Sequence, residues 1–401
     1  MKPTITSLSL LLFFIVCTQL SLGQQNIRTF IFGHSLIHHE AQVNETPSQE
    51  TSVPHWFVEL TKSAGHDYAV GGQYGFLPQH ANVPPISQWG FDSVPGAWES
   101  DTEPFSAANF TNIMITPGNF IQWQGPDVNY YGEDISPLDA TNTIINWTKS
   151  QEDGLKFYLY ENWPDMGGYL SNGFPPTAEE WTNYNTYLQA DFHDWFLEYH
   201  DSLIISQPYN CISMIPVGPI ISKLLMTAPY NQIPIDSLYE DDAPHGRPSI
   251  YFLAALTTYM AMTEELAPSY SAPSIIHPVI TSNYQSVVNF IWDELHAFET
   301  PNGNSRVFCS PVTESRPIST ESIAIQLYPN PASQSIRVIS KEPIVHIEIS
   351  DILGNTYQSQ ELNNNFNSNI DIHQLPNGVY FLKITSTKNK TGKILRFTKD
   401  D

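Results

Sequence analysis

Positive charge is scarce in this chain. Its 401 residues carry 17 Lys and Arg against 41 Asp and Glu, a net charge of −24 at pH 7. Basic residues nowhere gather into a patch that would attract phosphate backbones, which excludes nucleic acid as a partner. Long apolar runs are also missing. Beyond the first residues no segment reaches the roughly 18 apolar residues of a spanning helix, so no transmembrane anchor is expected. Cysteine is rarer still, with Cys17, Cys211 and Cys309 alone, and none has metal-cluster spacing. Cys17 falls within the leader described next. The other two either pair, as an oxidising compartment allows, or leave Cys211 as a small core residue. The chain has no internal repeat.

What is present divides the chain into parts. Met1 to Gly23 has a lysine at position 2, an apolar stretch from Leu8 to Val16 and small residues from Ser21 to Gly23. This reads as a secretory signal peptide, residues 1–23. Val16 is too large for a lipoprotein cleavage site before Cys17. Loss of Lys2 with the leader takes the net charge from −24 to about −25, an acidity that favours solubility. Residues 24–310 read as one α/β unit, 311–322 as a Pro, Ser and Thr-rich linker, and 323–401 as a second unit. In the first unit, strands at Ile27, Asn112, Leu155 and Cys211 alternate with helical stretches Val53 to Ala64, Ala178 to His200 and Ile250 to Leu266, with a last helix near Ser286 to Phe298. That alternation predicts a parallel sheet with helices on both faces. In the second unit, short alternating strands separated by Asn, Gly and Pro predict a small β-sandwich.

Two segments carry nucleophile chemistry. Phe32-Gly33-His34-Ser35-Leu36 follows the apolar run from Ile27 to Phe32, and Asp242-Ala243-Pro244-His245 precedes the run from Ile250. A serine hydroxyl needs an imidazole to accept its proton and a carboxylate to orient that imidazole. Strand, Gly turn and serine at a helix start would place Ser35 at the carboxyl end of a sheet strand, where open α/β sheets bind ligands. Ser35, Asp242 and His245 are therefore the candidate nucleophile, orienter and base.

These residues resemble the SGNH or GDSL hydrolases, serine esterases on a flavodoxin-like three-layer α/β/α fold. The resemblance spans Ile27 to Leu266 and includes Ile215-Pro216-Val217-Gly218-Pro219. His34 departs from the family's Asp or Asn before the serine. By the same resemblance, the oxyanion hole would use the Ser35 amide, Gly72 of Val70-Gly71-Gly72-Gln73-Tyr74-Gly75 with Gly75 as second choice, and Asn119 of Pro117-Gly118-Asn119. Asn162, in Tyr160-Glu161-Asn162-Trp163, rivals Asn119. The implied reaction is ester hydrolysis without metal or organic cofactor, directed at O-acyl groups such as acetate on a polysaccharide or oligosaccharide.

The C-terminal segment resembles the sorting domain of the type IX secretion system of Bacteroidetes. It contains Leu327-Tyr328-Pro329-Asn330-Pro331, Asp351-Ile352-Leu353-Gly354-Asn355 and Leu375-Pro376-Asn377-Gly378-Val379-Tyr380 in that order, with Gly392-Lys393-Ile394-Leu395 after them. Export to the cell surface or beyond, by the type IX machinery, is what this resemblance implies.

Two irregular insertions, Leu77 to Phe110 and Phe120 to Tyr131, are candidates for the substrate site. Trp89, Trp98, Trp123 and Trp163 are the aromatic rings expected to stack against sugar faces, against the plain alternative that they pack the loops. Two other functions stand beside the esterase. One is an inactive polysaccharide-binding or surface protein on the same fold, whose mark would be Ser35 and His245 too far apart to bond. The other is a metal site built from His34 and His38 beside His39 and Glu40, which lacks the His-Glu-x-x-His order.

Overall fold

The computed structural model describes residues 23–39, 52–91, 93–118, 122–208, 210–309, 325–351, 355–386 and 393–400. The signal peptide up to residue 22, the linker 311–322, Glu40, Asn119, Ile352 to Gly354 and Gly392 lie outside the described residues. Two compact units divide the chain, Met1–Val312 and Thr313–Asp401.

The first unit is built on five parallel strands: β1 (Asn26–Gly33), β2 (Asp67–Tyr74), β3 (Asn112–Ile115), β4 (Lys156–Tyr160) and β5 (Ile212–Ile215). Their spatial order is β2-β1-β3-β4-β5, so the winding reverses between β1 and β3. Side chains alternate between two cores. Ile27 and Ile31 of β1 face one apolar cluster, and Phe30 and Phe32 face the other. Burial on both faces explains the consecutive apolar residues Phe30, Ile31 and Phe32 at the end of β1.

Helices cover each face. α1 (Val53–Ala64) begins with Pro54 in its first turn and ends at Gly65, whose φ of 81° is the left-handed cap that glycine adopts without strain. The short α2 (Leu77–His80) follows β2. α3 (Pro137–Gln151) is capped by the Ser136 hydroxyl, which accepts the Asp139 amide. α4 (Ala178–Tyr187) opens with a capping box between Thr177 and Glu180, and α5 (His193–Ser206) continues it after a π turn at Leu188–Phe192. The single helix expected from Ala178 is thus interrupted, with Ala190 outside helical backbone angles. Then come α6 (Val217–Leu225), α7 (Pro248–Thr263), α8 (Pro278–Ser282) and α9 (Tyr284–Ala297). Every residue of α7 is buried, which fits a helix apolar all round rather than along one stripe.

The helix expected to start at Ser35 is instead a turn. Ile37 donates to the His34 carbonyl at 2.9 Å, and among the described residues the next helix is α1. The second unit is one antiparallel sheet, β6 (Ile325–Tyr328), β7 (Ser335–Asp351), β8 (Thr356–Asp371), β9 (Gly378–Ser386) and β10 (Lys393–Lys399). Its strands form one hydrogen-bonded network in which β7 shifts register between Ile339 and Ile344, with β6 paired to the part before the shift and β9 to the part after it. Ile336 and Val338 before the shift and Ile347 and Ile349 after it share one core with Leu382 and Phe397.

Cys211 and Cys309 form a disulfide across 98 residues, with Cα atoms 5.7 Å apart. It ties the start of β5 to the end of the first unit. Replacing Cys309 by Ser should lower unfolding free energy by about 2–5 kcal/mol, read from urea unfolding. An unchanged midpoint would contradict that role.

Candidate active site

Ser35 lies just past the carboxyl end of β1, beside the point where strand order reverses. Its Oγ is 3.0 Å from His245 Nε2. The His245 ring faces a carboxylate on its other side, at Nδ1, with Asp241 Oδ2 2.7 Å away. The carboxylate that meets His245 is therefore that of Asp241, and not that of Asp242 as the sequence suggested. The reason is the shape of the loop. Tyr239 and Gly246 bridge in antiparallel fashion, and the Glu240 amide donates to the His245 carbonyl at 2.9 Å. Asp241 points into this hairpin, where its Oδ1 accepts the Ala243 and His245 amides, each at 3.1 Å. Asp242 is exposed, and its carbonyl accepts the Met166 amide at 2.8 Å. Partial burial opposes charge on Asp241, but the hydrogen bonds from His245 outweigh it and hold the carboxyl below its usual range.

The loop is pinned from beneath. Trp163 Nε1 donates to the Pro244 carbonyl at 2.8 Å, and Tyr251 of α7 donates to the Ser35 carbonyl at 2.9 Å. Trp163 is 1% exposed, so it supports the His245 loop and is not a stacking platform. Among the described residues the Ser35 amide has no hydrogen-bond partner.

His34 is a brace. It is buried, its Nε2 donates to the Pro117 carbonyl at 3.0 Å, and the Leu36 amide donates to Nδ1 at 3.4 Å. Burial lowers its pKa to about 4, the Pro117 bond opposes this, and nearby His245 adds to it. Asn162 Nδ2 donates to the same carbonyl at 2.8 Å. The buried Asn162 thus ties the ends of β3 and β4 together. Its own carbonyl lies so close to Gly218 that a Cβ there would stand 2.2 Å from it, which explains the glycine.

Gly72 does not reach the rim. It is opposite Ile31, two rungs short of Gly33, and its carbonyl accepts the Gln88 and Trp89 amides. Its lack of Cβ lets Trp89 pack against the strand. The Gly75 amide is taken by the Gly33 carbonyl at 2.9 Å. Trp98, 8% exposed, packs with Phe30, Phe105 and Phe110 in the core, so it too leaves the expected substrate set. Trp89 is half-buried beside the Gly33 to Ser35 turn, edge-on to Tyr74 and His38. Trp123 is 75% exposed and, with Phe76, Tyr130 and Tyr131, lines a cavity of about 380 Å³. The Phe76 ring lies 5.5 Å from the His34 ring.

His34 and His38 do not converge as metal ligands. His34 is spent on Pro117, and His38 packs edge-on to Trp89 and Phe91. Among the described residues His39, Asp241 and His245 bring ligand atoms within 4.8 Å of one another. The two rings, however, stack face to face, so their in-plane lone pairs run side by side instead of meeting at an ion. Asp241 is the residue that sequence reasoning missed, and His39, weighed there only beside the His34 and His38 metal site, stacks on His245 instead.

Residues 326–395 match the family described as secretion system C-terminal sorting domain. The chain carries a sorting domain of the type IX system and is exported by that route, to the cell surface or beyond. Two of the sorting motifs close turns, and the first reaches the last strand. Asn330 Oδ1 accepts the Thr398 amide at 2.8 Å, Asp351 accepts the Asn355 amide at 2.9 Å, and the Tyr380 hydroxyl donates to the Pro376 carbonyl at 2.8 Å. No curated protein matches the chain. Among solved structures, PorZ, an essential surface component of the type IX secretion system of Porphyromonas gingivalis, is 17% identical over 20% of this chain and 12% of its own length, with TM-score 0.17. The chain thus spans only a small part of PorZ. A DUF3244 family protein with an immunoglobulin-like β-sandwich from Bacteroides vulgatus is 18% identical over 20% of this chain and 96% of its own, at TM-score 0.16. A proposed GDSL-like lipase from Parabacteroides merdae is 12% identical over 60% of this chain and 97% of its own, at TM-score 0.34.

Two predictions follow from the site. Asp241→Asn should lower kcat by about 10³- to 10⁴-fold, as loss of the correct tautomer does in a triad, while Asp242→Asn stays within about twofold; the reverse order would reinstate Asp242. The second concerns pH. His34, His80 and His200 are all buried, and desolvation lowers each to about 4. Between about pH 6.5 and 4 the unfolded chain therefore binds more protons at these residues, and each costs up to about 3 kcal/mol of stability as pH falls. Glu161, raised by burial to about 7 although His193 opposes it, acts in the opposite direction and offsets part of this. Urea unfolding should show a net loss of several kcal/mol from pH 6.5 to 4; a flat profile would contradict three neutral buried imidazoles.

Proposed function

We propose that the first unit is an SGNH-type serine esterase on a flavodoxin-like three-layer fold, and that it removes O-acyl groups such as acetate from a polysaccharide or oligosaccharide. The observation that carries the reading is the continuous chain Ser35 Oγ, His245 Nε2, His245 Nδ1, Asp241 Oδ2, with contacts of 3.0 and 2.7 Å. An inactive binding protein would not need that approach. On this reading the domain limits stay as 24–310 for the catalytic region, 311–322 for the linker and 323–401 for the sorting unit.

His245 takes the Ser35 proton as Oγ attacks the ester carbonyl carbon, giving a tetrahedral oxyanion. The Ser35 amide is one donor to that oxygen, and Asn119, after β3, is proposed as a side-chain donor. Collapse expels the sugar alkoxide, which takes the proton from His245 and leaves an acyl-serine. Water then attacks the acyl carbon while His245 again accepts a proton, and the carboxylic acid departs, ionising in water, as Ser35 recovers its hydrogen. Asp241 holds the tautomer and stabilises the imidazolium in both halves. The sugar would lie over Trp123, an exposed ring, with Trp89 beside the nucleophile turn.

Purified protein should release p-nitrophenol from p-nitrophenyl acetate. Ser35→Ala should lower kcat by about 10⁴-fold or more, and the Ser35→Ala, His245→Ala double variant should be little worse, because triad members act as a unit. Chelator should have no effect. Turnover that survives Ser35→Ala, or dies with chelator, would overturn the assignment.

A further inference from the structure

The geometry points to His39 as a positioning residue for His245, an inference that rests on the serine esterase reading. The two imidazole rings stack with centroids 3.5 Å apart and planes 9° from parallel. Consecutive carboxylates face them: Asp241 meets His245 at 2.7 Å, and Glu240 Oε2 lies 3.8 Å from His39 Nε2. The Glu240 side chain is 3% exposed and that of His39 is 13% exposed.

The need for such a contact follows from the hydrogen bonds themselves. Ser35 and Asp241 hold His245 at its two nitrogens, and these lie on a line across the ring. Two in-plane contacts leave the ring free to rock about that line. Rocking tilts both nitrogen lone-pair and N–H directions off their partners, and hydrogen bonds weaken steeply with angle. The Cα–Cβ and Cβ–Cγ torsions limit that motion, and a contact on the ring face limits it further. His39 supplies that contact, with the Glu240 carboxylate beside its outer nitrogen.

His39 does not touch the reacting atoms, so its signature is loss of kcat without change in KM. Steady-state kinetics on p-nitrophenyl acetate should show His39→Ala with kcat down about tenfold, the scale of a lost ring-stacking contact, and KM unaltered. His39→Phe keeps a flat ring and should restore most of kcat. Glu240→Gln should fall between wild type and His39→Ala. A readout that needs no turnover is the far-downfield proton resonance of the His245 Nδ1–H, measured on the full chain. It should be sharp in wild type and His39→Phe, and broadened or lost in His39→Ala.

Unchanged kcat and an unchanged resonance in His39→Ala would overturn the inference and leave the esterase intact. Failure of His39→Phe to rescue would also overturn it, by showing that His39 acts through its nitrogens. A wild type without Ser35-dependent turnover and without the downfield resonance would remove both the clamp and the esterase.

Discussion

The arrangement at the carboxyl edge of the sheet depends on one contact across 210 residues, the approach of His245 Nε2 to Ser35 Oγ. Nothing local enforces it. Ser35 is delivered by β1, whose two faces are locked in separate cores, while His245 hangs on a hairpin before α7. The distance is kept by braces on both sides. His34 and Asn162 join the strand ends at the Pro117 carbonyl, Trp163 holds Pro244, and Tyr251 reaches from α7 to the Ser35 carbonyl. All are buried, and each makes at least one hydrogen bond, as most groups removed from water do. The site is therefore a property of the packed unit rather than of a motif.

This division decides what could be read before the fold was seen. Ser35 and His245 were legible because a glycine turn after an apolar strand, and a His before a buried helix, are local patterns. α1 was legible to its ends, since Pro54 and Gly65 mark them. Asp241 was not. Spacing alone makes Asp242 as good a partner as Asp241, and only the Tyr239 to Gly246 hairpin turns the first inward and the second outward. Gly72 misled for a similar reason. A glycine near a strand end suggests a turn, yet this one makes room for Trp89 within the sheet. Burial of Trp98 and Trp163 is likewise tertiary: their indole N–H groups find the Glu103 and Pro244 carbonyls.

The sorting unit was the easier reading because its signals are turns. Asp351 and Tyr380 each close a short-range hydrogen bond within their own motif, while Asn330 holds the Thr398 amide of the last strand. Its sheet was harder, since the register shift in β7 that lets one strand serve both halves of the core leaves no mark in alternation. Export also accounts for the Cys211 to Cys309 disulfide, a bond that persists only outside the reducing cytoplasm of most cells.

The most direct test of the central claim is covalent labelling with a fluorophosphonate, read by intact mass and peptide mapping. An activated Ser35 should take one organophosphoryl group per chain on the peptide containing Phe32 to Leu36, with no label in Ser35→Ala and slow labelling in Asp241→Asn. A chain that stays unlabelled, or a label on any other serine, would contradict it.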